Sequence, residues 1–198
     1  HADTATERLH GPLFVTTSAA TMTVDGVTAA RITQTGNAAG AFLLRSEGVF
    51  AVTNITATDC SSSPDDGINT VGGVFLSYAS AATGTGTNIR AIRCASDYGP
   101  VVYASQGGNG EFSGIYAKGC TARYDGILYA GGWGDVTFDD FKVIDCRTGE
   151  KTTGSDGIGG AVYVHNHTTL SDRNKYTHVT NGEIIGCTNG LGGYPGIL

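Results

Sequence analysis

The chain has little of what ordinary helices and membrane spans require. Its 198 residues include four prolines, one methionine and one tryptophan, and only 15% of them are charged. No run is long or apolar enough to span a membrane, and residues 1–11 lack the charged start and hydrophobic centre of a secretion signal. By contrast, 31 glycines accompany many Val, Ile, Thr, Tyr and Phe residues. This composition disfavours helices and favours short strands joined by tight turns.

Positive charge is also scarce. Twelve Lys and Arg residues face eighteen Asp and Glu residues, so the net charge is -6 and the pI is about 5.2. Phosphate binding needs a concentrated basic surface, and no GxxxxGK[ST] loop is present. We therefore expect no nucleic-acid partner and no cofactor. The HNH string at residues 165–167 is too weak a signal to predict a metal site.

Five cysteines each end a short stretch of similar sequence. The stretches are 55–60 (ITATDC), 89–94 (IRAIRC), 115–120 (IYAKGC), 141–146 (FKVIDC) and 182–187 (GEIIGC), and a sixth copy at 32–37 (ITQTGN) carries Asn37 in place of cysteine. An Asp or Asn close to a Gly follows each cysteine, and then a short apolar run. The marker positions are 23, 34, 26, 26 and 41 residues apart. Self-similarity at such a period indicates stacked repeats, with insertions in two copies.

These units resemble those of right-handed parallel β-helix proteins, the class of pectate-lyase-like enzymes and bacteriophage tailspikes. The resemblance implies an all-β, single-stranded solenoid of about seven coils over residues 26–198, with an N-terminal lead-in or cap at residues 1–25. Equivalent residues of successive coils would lie about 4.8 Å apart. The five cysteines would then form an internal ladder, started by Asn37.

The cysteines are predicted to be free, buried thiols. Each follows apolar residues, and a free cysteine behaves as a small hydrophobe. Their odd number and the absence of CxxC or Cys/His spacing argue against zinc and against a complete set of disulfides. Free thiols are typical of a chain that folds in a reducing compartment.

Two lengthened turns, at residues 61–73 and 147–160, flank two short turns at 95–99 and 121–126. If they leave equivalent corners three coils apart, they bound a cleft about 14 Å wide. Asp97 and Asp125 on its floor are taken as matching positions of adjacent coils, which predicts a carboxylate pair with the spacing of a retaining glycosidase. The alternative is that each Asp only stabilises its tight turn. Asp65, Asp66, Glu150 and Asp156 on the walls are weaker candidates.

A lyase would instead need a basic residue, and Arg93 and Arg123 on the same floor are the candidates. Tyr103, Tyr129 and Tyr163 alternate with Val102, Leu128 and Val162, so period-two geometry places one set inside and the other outside. Outward tyrosines would offer flat faces to sugar rings, whereas inward ones would be core. The full set of predicted substrate-binding residues is Arg93, Tyr98, Tyr103, Arg123, Tyr124, Tyr129, Trp133 and Tyr163.

The resemblance implies a tailspike-like or tail-fibre-like receptor-binding domain that recognises, and in one version depolymerises, a bacterial surface polysaccharide. It also implies a virion-tail or extracellular location and assembly as a homotrimer, without insertion into a membrane. Two alternatives stay open at this point. One is a non-catalytic architectural or adhesin module, and the other is a pectate-lyase-like polysaccharide lyase.

Overall fold

The structure is a computed structural model that describes residues 20–35, 42–44, 48–63, 75–78, 83–105, 109–131, 134–149, 160–165 and 176–190. Over these residues there are eighteen strands and no helix, which confirms the predicted all-β class for this part of the chain. In chain order the strands are β1 (Thr21–Asp25), β2 (Thr28–Ala30), β3 (Thr33–Thr35), β4 (Phe42–Leu44), β5 (Val49–Thr58), β6 (Ser61–Ser63), β7 (Phe75–Tyr78), β8 (Thr83–Ile92), β9 (Ala95–Ser96), β10 (Val102–Ser105), β11 (Asn109–Lys118), β12 (Thr121–Ala122), β13 (Leu128–Gly131), β14 (Val136–Ile144), β15 (Arg147–Thr148), β16 (Val162–His165), β17 (Thr177–Ile185) and β18 (Thr188–Asn189).

The strands form three parallel sheets. The largest has the order β1-β5-β8-β11-β14-β17, with β2 also paired to β5; the second is β16-β13-β10-β7-β4, and the third is β18-β15-β12-β9-β6-β3. Each sheet takes one strand from each successive repeat, an arrangement consistent with a β-helix-like solenoid. The segment β1, which the sequence assigned to a lead-in or cap, pairs with β5 in the largest sheet.

The sheets bury a core of alternating residues in which large and small side chains interlock. Phe50, Phe112 and Phe138 are almost fully buried. A Cβ atom on Gly84 would lie only 1.7 Å from Cζ of Phe50, so the ring occupies the space that a side chain at position 84 would need. Gly182 stands in the same relation to Phe141, at 2.0 Å. Glycine inside these strands therefore marks close packing between neighbouring repeats.

Two columns of residues in the left-handed backbone conformation bend each repeat. One column is Gly26, Asn54, Asn88, Gly114, Asp140 and Asn181, and the other is Arg31, Asp59, Arg93, Gly119, Asp145 and Gly186. A non-glycine residue adopts this conformation at some cost, which Asn and Asp bear best. Hydrogen bonds between neighbouring repeats support the first column, with Asn88 Nδ2 donating to Asn54 Oδ1 at 2.6 Å and Asn54 Nδ2 donating to Asp25 Oδ1 at 2.8 Å.

The five cysteines are free, and four of them are buried as predicted, whereas Cys187 is half-buried. The predicted role of Asn37 is wrong. Ser61 pairs with Thr33 on one side and with Ala95 on the other, so Cys60 is level with Cys94 and with Ile32. The register between these two repeats is 28 residues, as Thr28 pairs with Thr56. Asn37 itself lies outside the described residues.

Candidate functional site

Most of the predicted site residues come together where the third sheet turns into the second. We call this group the tyrosine cluster, and it consists of Asp97, Tyr98, Tyr103, Arg123, Tyr124, Asp125, Tyr129 and Tyr163. Its residues lie on β10, β13 and β16 and in the turns that follow β9 and β12. Three successive repeats therefore build it, which no single repeat could do alone.

Backbone pairing continues from the short strands into the turns. The N–H of Arg123 donates to the carbonyl of Ser96, and the N–H of Tyr124 donates to the carbonyl of Asp97. Gly99 follows with a φ of +49°, and a Cβ there would lie 2.5 Å from the carbonyl oxygen of Val102. Only glycine fits such a turn without distortion. The turns thus hold the cluster on rigid backbone.

This register contradicts the prediction that Asp97 and Asp125 occupy matching positions. The pattern of backbone bonds places Asp97 level with Arg123 and Tyr98 level with Tyr124. Asp125 is two positions further along its own turn, level with Gly99. The two Asp-Gly turns look alike in sequence, yet the backbone register sets the two aspartates two positions apart.

Both carboxylates are enclosed by the protein. Asp97 is 4% exposed and Asp125 is 7% exposed. A carboxylate oxygen of Asp97 lies 3.6 Å from a guanidinium nitrogen of Arg123, whose side chain is 39% exposed. Removing Arg123 would take away a positive charge that faces a buried carboxylate, which is costly. The site residues proposed for acid and base catalysis therefore form part of the protein's own packing.

Tyr103, Tyr129 and Tyr163 form a stack along the second sheet. Ring centroids are 4.5 Å apart between Tyr103 and Tyr129 and 5.3 Å apart between Tyr129 and Tyr163, with interplanar angles of 17° and 26°. The alternating residues Val102, Leu128 and Val162 are fully buried, as expected for the inward set. The tyrosines lie on the opposite face and are half-buried.

The stacking changes what this column can offer a ligand. Rings that lie face to face cover one another, so the flat faces inside the stack are closed and the ring edges stay open. The Tyr129 hydroxyl lies over Gly131, where an added Cβ would be 2.6 Å from it. The column is therefore not the platform of open ring faces that the sequence suggested. It is a row of phenol edges.

A second aromatic pair joins the column to the charged residues. The rings of Tyr98 and Tyr124 stack at 5.0 Å, and Tyr98 also lies 6.3 Å from Tyr103 and from Tyr129. The guanidinium carbon of Arg123 is 5.6 Å from the centre of the Tyr124 ring. Arg123 thus contacts both a carboxylate and an aromatic face, an arrangement that fixes its planar group.

The phenol of Tyr129 stays protonated over a wide pH range. Burial raises its pKa well above the ordinary value, and the nearby Tyr103 and Asp125 raise it further. A neutral phenol can donate one hydrogen bond and accept others. At neutral pH this row of phenols is a set of hydrogen-bonding groups rather than a set of bases.

Arg93 belongs to a different place. It is the left-handed corner residue just before Cys94, and its guanidinium donates two hydrogen bonds to Asp59 at 2.6 and 2.8 Å. This bidentate contact raises the pKa of Arg93 and lowers the pKa of Asp59. Sequence reasoning missed Asp59. The signal was that Asp59 and Arg93 each precede a cysteine in consecutive repeats.

Several predicted features lie outside the described residues. They are Trp133, the wall carboxylates Asp65, Asp66, Glu150 and Asp156, and most of both lengthened turns. The cleft between those turns stays a prediction. Among the described residues, no group of three or more His, Cys, Asp or Glu side chains could hold a metal ion. The same residues contain no helix long and apolar enough to cross a membrane.

No protein-family model matches the chain, and neither a curated protein nor a solved structure matches it.

Proposed function

We propose that the chain is a right-handed parallel β-helix of about seven coils, and that its thiols form one internal column from Cys60 to Cys187. Parallel pairing in all three sheets supports the winding. The N–H of Cys120 donates to Sγ of Cys146 at 3.3 Å, which supports contact between thiols of neighbouring coils.

On this scaffold we propose a receptor-binding domain of the tailspike kind that recognises a bacterial surface polysaccharide. The observation that carries the proposal is the tyrosine cluster itself. Five phenols and one arginine from three repeats lie on one side of a rigid stack, and tyrosines combine an apolar body with a polar tip. A virion-tail or other extracellular location and assembly as a trimer are parts of the same proposal.

The chemistry of recognition would be hydrogen bonding along the row of phenol edges. Sugar hydroxyl groups both donate and accept, as the Tyr103, Tyr129 and Tyr163 hydroxyls do. The exposed part of the Arg123 guanidinium adds donors beside them. Because neighbouring repeats lie about 4.8 Å apart, the row presents polar groups at a regular interval that suits a repeating ligand.

Binding is favoured over cleavage. A glycosidase pair must touch the scissile bond, and the two carboxylates of the cluster are enclosed and out of register. We therefore favour binding without depolymerisation. Depolymerisation is tested separately by sizing the products after incubation with a panel of bacterial polysaccharides, with Asp97→Asn and Asp125→Asn as the variants.

The binding proposal is tested on a glycan array with Tyr129→Phe and Tyr163→Phe. Each change removes one hydroxyl and keeps the stacked ring, so the fold should survive while array signals fall several-fold, the effect of one lost hydrogen bond. Tyr176→Phe is the matched control, because Tyr176 is 59% exposed and lies outside the cluster. Equal signals in all three variants would contradict the proposal.

A second candidate, an architectural module, is favoured by one specific observation. The cluster residues already contact one another, through the Asp97–Arg123 ion pair and the stacked rings. A spacer needs this internal support and nothing else. It predicts that the unmodified protein gives no signal on any glycan array.

A further inference from the structure

A second surface, on the largest sheet, carries positive charge in an ordered pattern. It lies between the two left-handed corner columns, on the outward side of β8, β11 and β14. The side chains between its members point inward and are buried. We call this surface the basic strip, and its residues are Arg90, Ile92, Tyr116, Lys118, Lys142 and Ile144.

The strand register arranges these side chains as a checkerboard. Tyr116 lies between Arg90 and Lys142, and Lys118 lies between Ile92 and Ile144. Each strand therefore contributes one cation and one apolar group, in alternating order. The guanidinium carbon of Arg90 is 4.5 Å from the centre of the Tyr116 ring, which orders the first row.

The strip concentrates cations in a chain whose net charge is -6. Within the described part of the chain, no acidic side chain forms an ion pair with Arg90 or with Lys118. Lys142 is paired with Glu183 at the end of the strip, at 2.6 Å, and this contact raises the pKa of Lys142. Two cations are thus open to an outside anion and the third is held by one exposed carboxylate.

We infer that the basic strip binds a linear acidic polysaccharide running along the stack. A chain laid in that direction meets one cation per strand, at strand intervals of about 4.8 Å, with Lys118 two residues to one side of Arg90 and Lys142. That interval is comparable with the rise of one sugar unit in an extended chain. The alternating Ile and Tyr side chains suit the C–H faces of the sugars between acidic groups.

Other occupants fit the strip less well. Nucleic acid needs a more strongly basic surface than three cations in an acidic chain. A second copy of the chain would have to bring an acidic and apolar face in the same alternation. The inference takes from the proposed function only that the ligand is a polysaccharide. It adds that the repeat of this polysaccharide is acidic and that it binds a surface separate from the tyrosine cluster.

The test measures the affinity of the whole chain for four probes, namely polygalacturonate, dextran sulfate, neutral dextran and single-stranded DNA. We expect one or both acidic glycans to bind, and neutral dextran not to bind. Polygalacturonate alone indicates a carboxylate repeat, and dextran sulfate alone indicates a sulfate repeat. Affinity should fall as salt rises, because exposed charges are screened.

Lys118→Glu is expected to weaken binding about tenfold, since it removes one exposed attraction and adds a repulsion. Arg147→Glu is the matched control, because it makes the same change in net charge on the third sheet. Glu183→Gln should strengthen binding about twofold by releasing Lys142. A gain of affinity cannot come from partial unfolding, and melting curves check all three variants.

Four results would overturn the inference. They are no binding of either acidic glycan, equal losses for Lys118→Glu and Arg147→Glu, binding of DNA alone, and self-association that Lys118→Glu abolishes. If Tyr129→Phe weakens the binding of neutral glycans and Lys118→Glu has no effect on any probe, the basic strip is not a binding surface. The proposed function would still stand. The absence of binding to every glycan would remove both.

Discussion

Replacing Gly84 by alanine tests the core packing that keeps the largest sheet together. The new Cβ would lie 1.7 Å from Cζ and 2.2 Å from Cε1 of Phe50, which is 1% exposed. Overpacking of this kind costs about 3 kcal/mol, and the lower entropy of the unfolded chain offsets about 0.5 kcal/mol of it. We expect a net loss of about 2 to 3 kcal/mol in the free energy of unfolding.

The assay is urea unfolding followed by far-UV circular dichroism, with melting temperatures alongside. A chain of this size should lose about 2 to 4 °C of melting temperature per kcal/mol. Thr85→Ala is the control, because Thr85 is the exposed neighbour of Gly84 and its loss should change stability by less than about 0.5 kcal/mol.

Phe50→Leu supplies the decisive comparison. Alone it should cost about 1 to 2 kcal/mol, because part of a buried ring is removed. In the double variant Gly84→Ala/Phe50→Leu, the leucine leaves room for the alanine. The double variant should therefore lose at least about 1 kcal/mol less stability than the sum of the losses of the two single variants. Additive losses, or a Gly84→Ala variant as stable as Thr85→Ala, would refute the packing argument.

Three further outcomes are expected. Asn54→Ala should lose about 1 to 2 kcal/mol of unfolding free energy, since alanine tolerates a φ of +55° poorly, whereas Asn54→Gly should lose less. Stability should fall as the pH rises above about 9, because hydrogen bonding between thiols and burial raise the pKa of Cys60 and Cys120, so only the unfolded chain releases their protons. Arg123→Met should cost about 1 to 3 kcal/mol by removing the cation that faces the buried Asp97 carboxylate, and adding Asp97→Asn should recover part of that loss.

Urea midpoints measured for each variant and at each pH check these outcomes. Equal stabilities for the alanine and glycine variants of Asn54 would contradict the corner argument. A midpoint that stays constant up to about pH 10 would contradict the raised thiol pKa values. An Arg123→Met variant no less stable than the parent would show that the Asp97 charge is compensated by other groups.

The all-β class followed from the sequence because its signal is repeated and local. Cysteine recurs behind an apolar stretch in five places, and strand composition dominates the chain. The predicted register of the first repeat was wrong because it also relied on local similarity alone. The stretch that ends at Asn37 looks like a cysteine-bearing copy, yet pairing selects the segment that ends at Ile32, where an aliphatic residue fills the cysteine's place in the core.

The site was predicted in part. Tyrosines at corresponding positions located the cluster, but ring orientation depends on packing, which no spacing rule gives. The carboxylate pair failed because Asp-Tyr-Gly and Tyr-Asp-Gly were aligned by composition, whereas the backbone keeps one offset of 26 residues through both turns. The basic strip was missed although its signal was present, in the second and fourth positions of IRAI, IYAK and FKVI.

Variation in length is confined to particular places in this molecule. Neighbouring strands of the largest sheet are offset by 34, 26, 26 and 41 residues from β5 to β17, yet the two left-handed corners are always five residues apart. The spacing of the two corners is therefore constant, and the chain varies in length only between the second corner of one repeat and the first corner of the next. New turn sequences could be grafted there, which would change the surface of the protein and leave the supporting strands untouched.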